Sequence, residues 1–162
     1  MSNLEKKVDG LIRVILAENQ KDYQKAKAEL VLLSLDERED PVEVDGEIRK
    51  ILVEIGLPDK LSGHRFAVEA IRLAVENEDY IHMLHRKMYP AVAEKFDVVP
   101  QQVERCIRRA IEVAWDRGNL KVMAKYFGNT VSRYAGRPTT GEFIARVSNE
   151  VRQRMKEGNQ NA

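Results

Sequence analysis

Apolar residues recur along almost the whole chain at the spacing of an α-helix. In the first segment, from about Asn3 to Asn19, they fall at i, i+4, i+7, i+8, i+11 and i+12, which puts them on one stripe of a helix. The residues of this stripe are Leu4, Val8, Leu11, Ile12, Ile15 and Leu16. No segment shows the alternation of β-branched and polar residues that is typical of a half-buried strand. We therefore predict an all-α protein.

The first 42 residues predict a helical hairpin. A second helix, from about Asp22 to Leu35, follows the first after a short connection, which favours antiparallel packing of the pair. Residues 36–41 then read DEREDP, and their charge density and final proline are typical of a linker or an exposed turn. We place a domain boundary near Pro41, with the hairpin over residues 1–42 and a second domain over residues 43–162.

The second domain predicts a bundle of further helices, several of them marked by residues that prefer helix ends. Gly56 and Pro58 end one helix, and Pro90 is well placed at the start of another. A capping box is predicted where Thr139 precedes Glu142 by three positions. The predicted segments are Ile48 to Ile55, a helix from Ser62, Tyr80 to Met88, Tyr89 to Phe96, Pro100 to Arg117, Leu120 to Phe127 and a last helix from Thr139.

The helix from Pro100 to Arg117 has two unlike faces when its residues are laid out at about 100° each. One face is apolar and small: Val103, Cys106, Ile107, Ala110, Ile111 and Ala114. The opposite face is polar: Gln101, Arg105, Arg108, Arg109 and Glu112. Arginines crowded within about one turn repel one another unless solvent or an anion relieves the repulsion.

A short helix, Tyr89 to Phe96, and a tight connection at residues 97–99 precede this helix, which is the sequence shape of a helix-turn-helix. In such a motif the second helix enters the major groove, where arginine can donate two hydrogen bonds to guanine and Glu104 could accept one from cytosine. A basic outer face is more often simply a solvated surface, so the spacing alone leaves both interpretations open.

Charge is unevenly distributed, although the whole chain has 27 basic and 26 acidic residues. Residues 1–42 contain seven basic and nine acidic residues, whereas residues 82–137 contain eleven and five. A local basic excess is expected of a surface that contacts phosphate. The lack of a long apolar run, the mixed-charge start and the single Cys106 lead us to expect a cytoplasmic protein without membrane insertion, and binding to DNA would make it nucleoid-associated.

Two other chemistries, metal binding and hydrolysis, have only partial support in the sequence. His82 and His85 lie three positions apart with Asp79 nearby, a spacing that can hold a metal ion, but no second ligand cluster accompanies them. His64 lies close to Ser62, yet the chain has no G-x-S-x-G, H-E-x-x-H or phosphate-loop motif. We therefore expect no metal, no cofactor, no catalytic residue and no enzymatic activity.

Several segments together resemble one family. They read EIGLP at residues 54–58, MYPAVAEKF at 88–96, VERCIRRAIEVAWDRGN at 103–119, YFGNTVS at 126–132 and RPTTGEFIARV at 137–147. In this order and spacing they resemble the DNA-binding effector domain of the stage-zero sporulation response regulator family. The resemblance covers about residues 45–155.

The resemblance implies a six-helix domain with a helix-turn-helix that binds TGTCGAA-like promoter boxes, often as tandem copies. The family's V-E-R-x-x-R stretch implies base contacts for Glu104, Arg105 and Arg108. Histidine is frequent in the family where this chain has Arg109, and alanine where it has Cys106. The residues we consider as contacts to the DNA backbone are Gln101, Arg109, Lys87, Tyr89, Lys125, Ser132, Arg133 and Arg137.

The chain departs from the family at its start, because residues 1–42 predict two helices where full-length members carry a receiver domain with a parallel sheet. We hypothesise that the hairpin mediates homodimer formation or partner binding; packing on the effector domain as extra core is the alternative. Dimers can also form on tandem DNA sites. The segment Leu120 to Phe127 corresponds to a region that the family is thought to use against RNA polymerase. An alternative function is a protein-interaction module or antagonist that acts on a sporulation regulator or RNA polymerase.

Overall fold

In the computed structural model of the chain, residues 3–16, 19–36, 41–128 and 136–161 are described. These residues form helices and short connections, and none of them is in a strand, which confirms the all-α prediction. A π-helical turn (Leu84–Met88) lies between two short helices, Asp79–His82 and Tyr89–Phe96. The α-helices are α1 (Asn3–Ile15), α2 (Gln20–Asp36), α3 (Pro41–Ile55), α4 (Ser62–Glu76), α5 (Asp79–His82), α6 (Tyr89–Phe96), α7 (Pro100–Arg117), α8 (Leu120–Phe127) and α9 (Thr140–Gln160). No helix in these ranges is long and apolar enough to span a membrane.

The chain divides into two compact units, Met1–Asp40 and Pro41–Ala162. In the first unit α1 and α2 pack antiparallel. Arg13 contacts Glu29 at 3.4 Å, whereas the earlier Gly10 lies against the later Leu30. Arg13 also pairs with Asp9 on its own helix at 2.8 Å.

The first helix ends earlier than the apolar spacing predicts, at Ile15 instead of about Asn19. The reason lies in the chemistry of Asn19, whose side-chain oxygen accepts a hydrogen bond at 2.9 Å from the backbone N–H of Asp22. Asn19 therefore caps the start of α2 and cannot also continue α1.

The second unit is organised around α4, which packs against α3, α6, α7 and α9. A surface helix buries one stripe, whereas α4 buries residues on nearly every side. The buried residues of α4 are Gly63, His64, Phe66, Ala67, Val68, Glu69, Ala70, Ile71 and Ala74. Burial is the main reason that the pKa of His64 lies below its ordinary value, so the imidazole is neutral at pH 7.

The segment Tyr80 to Met88, predicted as one helix, is instead broken at Met83. The backbone of Met83 has φ −129° and ψ 50°, outside the helical region, and separates α5 from the π-helical turn. In that turn the N–H of Met88 donates to the carbonyl of Met83, five residues earlier, at 3.2 Å. The wider turn leads into α6 with Met88 and Tyr89 both buried.

The long last helix, α9, is fixed at its start and along its length. The predicted capping box is confirmed: Thr139 accepts from the N–H of Glu142, and Glu142 accepts from the N–H of Thr139 at 2.8 Å. Further along, Arg154 donates at 2.7 Å to the hydroxyl of Tyr126, which itself donates to Glu54 at 2.5 Å. Burial and the Glu54 hydrogen bond raise the pKa of Tyr126 to about 12, so this phenol stays protonated and joins α8 to α3 and α9.

Helices α4 and α7 approach each other closely at Gly63. A Cβ atom at Gly63 would lie 2.8 Å from the Cβ of Ala110 and would overlap the backbone carbonyl of Cys106. The two backbones can approach this closely only because residue 63 has no side chain. The sequence pattern did not single out this glycine, since its role arises from a contact with a helix some forty residues away.

We expect Gly63→Ala to lower the free energy of unfolding of the second unit by about 2 kcal/mol or more, because the new methyl group must displace backbone. Gly46→Ala is the matched control: it adds the same methyl group inside α3, where nothing lies within 4 Å. The control should raise stability by about 0.5–1 kcal/mol. Urea unfolding followed by the fluorescence of Trp115, the single tryptophan, measures both changes. Similar stabilities for the two variants would contradict the close crossing.

Candidate nucleic-acid interface

The short helix α6 and the longer α7 form a helix-turn-helix joined at residues 97–99. Asp97 ends α6 in the left-handed conformation, with φ 54° and ψ 50°. The N–H of Val98 then donates to the carbonyl of Ala93 at 3.0 Å, which closes the turn. Pro100 occupies the first turn of α7, where its missing N–H leaves no helical hydrogen bond unmade.

The two faces of α7 are placed as the spacing predicts. Its buried residues are Val103, Ile107, Ala110, Ile111 and Ala114. Its exposed residues include Gln101, Arg105, Arg108 and Arg109. Cys106, which the spacing assigns to the apolar face, is only partly buried, because it lies at the edge where α7 faces the start of α4.

Carboxylates separate the arginines of this face. Arg108 lies 3.6 Å from Glu104, and Arg109 lies 3.6 Å from Glu112. Glu112 also pairs at 3.1 Å with Arg137, from the segment before α9. Arg105 forms no ion pair within the described parts of the chain. Because such solvent-exposed pairs contribute little energy, the arginines can exchange these partners for a stronger anion.

A groove of about 510 Å³ lies between α7 and the start of α4. Arg105, Arg108 and Arg109 line one side of it, and Ser62 and Gly63 line the other. Sequence spacing did not bring Ser62 and Gly63 to this surface, because only the crossing of α4 and α7 places them there. The groove therefore presents three cations beside the first turn of another helix.

A second groove, of about 520 Å³, flanks the same exposed face of α7 and shares Arg108 and Glu112 with the first. It brings Glu104 and Arg108 together with Arg137 and with Thr140, at the start of α9. The buried Tyr89 also lines it, and burial is the main cause that raises the pKa of its phenol. The capping box was the sequence signal for the start of α9. That the start of α9 lies beside α7 was not predictable from the spacing of residues.

The remaining predicted backbone contacts lie elsewhere on the unit. The Nζ of Lys87 is 4.6 Å from the centroid of the Tyr80 ring, and the Nζ of Lys125 is 5.3 Å from that of Tyr126 on α8. Neither lysine lines the two grooves beside α7. Ser132 and Arg133 lie outside the described residues.

The histidines considered as metal ligands are separated by the break at Met83. The His85 ring packs edge-on against Tyr89, with centroids 5.2 Å apart, and its Nδ1 lies 4.0 Å from a carboxylate oxygen of Glu104. Among the residues that the structure describes, no group of three potential ligands could hold a metal ion. His85 therefore belongs to the surroundings of the second groove.

The first helix of the motif is held to α4 by the buried carboxylate of Glu69. Lys95 of α6 donates to Glu69 at 2.5 Å, and Arg72 donates to it from the next turn of α4. Burial alone would raise the pKa of Glu69, but the hydrogen bonds from the two cations outweigh it, and the net pKa lies below the ordinary value of 4.5. Glu69 is therefore ionised at pH 7 and links α4 to α6.

A family model described as "Sporulation initiation factor Spo0A C terminal" matches residues 48–151, which is more than half of the chain. The matched region begins inside α3 and ends inside α9. It therefore contains the helix-turn-helix and both grooves.

We expect Glu69→Gln to lower the free energy of unfolding at pH 7 by about 1–3 kcal/mol, because Lys95 and Arg72 lose their anionic acceptor. Since the folded-state pKa of Glu69 is depressed, its contribution is complete above the ordinary value of 4.5 and is lost as the pH falls through the lower folded value. Urea unfolding at several pH values should show the two proteins converging in acid. A difference that does not change with pH would contradict an ionised Glu69.

Proposed function

The chain belongs to the family of C-terminal domains of the sporulation initiation factor Spo0A, and from this premise we propose that it is a sequence-specific transcription regulator of double-stranded DNA that reads TGTCGAA-like promoter boxes. One observation carries the proposal: the exposed face of the second helix of the helix-turn-helix presents Arg105 and Arg108 to an open groove, and Arg108 also lines a second groove beside it. This role places the protein with the chromosome in the cytoplasm.

Base reading is assigned to the first turns of α7. Arg105 and Arg108 each carry the planar fork that can donate two hydrogen bonds to the O6 and N7 atoms of guanine. Glu104 lies one turn before Arg108 and can accept a hydrogen bond from the amino group of cytosine. The 3.6 Å ion pair between Glu104 and Arg108 keeps these two side chains close in the free protein, and it can open when bases offer better partners.

Phosphate contacts are assigned to the cations that flank the base-reading residues. Arg109 faces the groove beside α4, and Arg137 lines the groove beside α9. Both arginines pair with Glu112 in the free protein. A phosphate of bound DNA would replace the Glu112 carboxylate as their anionic partner. Gln101, in the first turn of α7, can donate to a neighbouring phosphate.

Contact with RNA polymerase is proposed for α8. This helix is fixed to α3 and α9 through Tyr126, while Lys121 and Lys125 remain exposed on it. A rigidly held, exposed helix is suited to a protein contact. Its lysines favour an acidic partner surface.

We expect Arg105→Ala and Arg108→Ala each to weaken binding to a TGTCGAA-containing duplex by about 1–3 kcal/mol and to relax sequence preference. Fluorescence anisotropy against boxed and scrambled duplexes, at two salt concentrations, measures both effects. Arg117→Ala is the matched control, because it removes one exposed arginine from the far end of the same helix and should leave sequence preference unchanged.

In the same experiment, the binding of the unsubstituted protein to the two duplexes distinguishes a DNA-binding regulator from a protein-interaction module. Binding to the box that is tighter and survives higher salt supports the regulator. Equal, salt-sensitive binding to both duplexes would contradict base reading and would favour an antagonist that acts on a sporulation regulator or on RNA polymerase.

For Arg109→Ala we expect a loss of affinity of similar size on boxed and scrambled duplexes, because a phosphate contact carries no sequence information. The slope of log K against log salt concentration should fall by about one. Glu112→Gln is the reciprocal variant: it frees Arg109 and Arg137 from their shared carboxylate and should tighten binding to both duplexes. An unchanged salt slope for Arg109→Ala would remove this residue from the backbone contacts.

A further inference from the structure

The apolar stripe of α1 remains exposed after the hairpin has formed. In the hairpin only Gly10 of α1 and Ala26 of α2 are buried among the residues whose side chains are described. The stripe is 47–79% exposed at every position, and two of its members, Ile12 and Leu16, border the open groove between α1 and α2. Its members are Leu4, Val8, Leu11, Ile12, Ile15 and Leu16.

The spacing within this stripe is that of a two-stranded coiled coil. Leu4, Val8, Leu11 and Ile15 are separated by four, three and four residues, which is the alternation of d and a positions in a heptad. The two a positions are β-branched, Val8 and Ile15, and the two d positions are leucine. This combination favours pairing of two parallel helices over higher assemblies.

The size of the stripe is also that of an interface. Six aliphatic side chains exposed to this extent form several hundred Å² of continuous apolar surface, which is at the upper end of the roughly 300–600 Å² found for the largest patch of a monomer. Two such faces can bury about 1,000 Å² together, the lower bound for specific protein association. A surface that pairs with itself about a two-fold axis needs no other partner.

We propose that the stripe of α1 binds the same stripe of a second copy of this chain, so that the protein is a homodimer joined through its hairpins. The interface is apolar along its centre, and Lys6 is an exposed residue outside the stripe, on the opposite side of α1. If the proposed DNA-binding function holds, the dimer ties two effector domains together and raises the effective concentration of the second at a neighbouring box. The pairing itself does not depend on that function.

The mass of the full-length chain in solution tests this proposal. Light scattering after size exclusion should give about 37 kDa for the parent protein at tens of micromolar, twice the 18.6 kDa of the chain. Leu11→Glu and Leu11→Lys should both give the monomer mass and weaken dimerisation by at least about tenfold, because either charge would be buried at the centre of the stripe. Agreement between the two variants excludes a simple effect of charge sign.

Lys6→Gln is the matched control, because it changes the net charge by the same single unit as Leu11→Glu and lies on the opposite face of α1. It should remain a dimer. Far-UV circular dichroism checks that the Leu11 variants keep their helix content; since Leu11 is half exposed in the hairpin, they should. A parent protein that is a monomer at these concentrations would overturn the proposal and would favour a hairpin that packs on its own effector domain. A dimer that persists in both helical Leu11 variants would also overturn it and would place the contact elsewhere.

Discussion

The close approach of the α4 and α7 backbones at Gly63 is the constraint on which the candidate interface depends. Helix α4 is buried on nearly every side and packs against α3, α6, α7 and α9, so neighbouring helices hold it in place. Because α7 meets it backbone to backbone, with Ala110 as the nearest side chain, α7 has little freedom to rotate or slide. The outward direction of Arg105 and Arg108 follows from this inward contact. Glu69 extends the same support to α6 through Lys95.

A second constraint is electrostatic, because three arginines on one exposed face repel one another. Glu104 and Glu112 relieve this repulsion from within the site, and Glu112 serves both Arg109 and Arg137. The pairs of Arg108 and Arg109 are 3.6 Å long and both arginines are exposed, so these pairs hold the side chains in place without binding them strongly. A site of this kind can give up its internal carboxylates to an incoming polyanion at small cost. The excess of basic over acidic residues within residues 82–137 then favours the exchange of these carboxylates for the polyanion.

The faces of α7 and the cap of α9 were predictable from neighbouring residues, whereas the close approach at Gly63 and two helix ends were not. The two faces of α7 follow from its spacing, and the capping box of α9 follows from Thr139 and Glu142, since both depend on neighbours within one or two turns. Gly63 gave no sequence signal, because its importance comes from the carbonyl of Cys106. The break at Met83 was missed because the apolar spacing of Tyr80 to Met88 is compatible with one helix. The end of α1 was misplaced because Asn19 serves the following helix as its cap.

The two units present opposite kinds of surface, and charge argues that they have different partners. Residues 1–42 contain more acidic than basic residues, so the hairpin gains nothing from approaching the phosphate backbone. The hairpin instead exposes the aliphatic stripe of α1, and an aliphatic stripe of this length is stabilised by another protein surface. The second unit has the reverse character, with buried aliphatic residues and arginines outside. The contacts proposed for the hairpin with protein and for α7 with DNA therefore depend on different chemistry, so neither surface competes for the partner of the other.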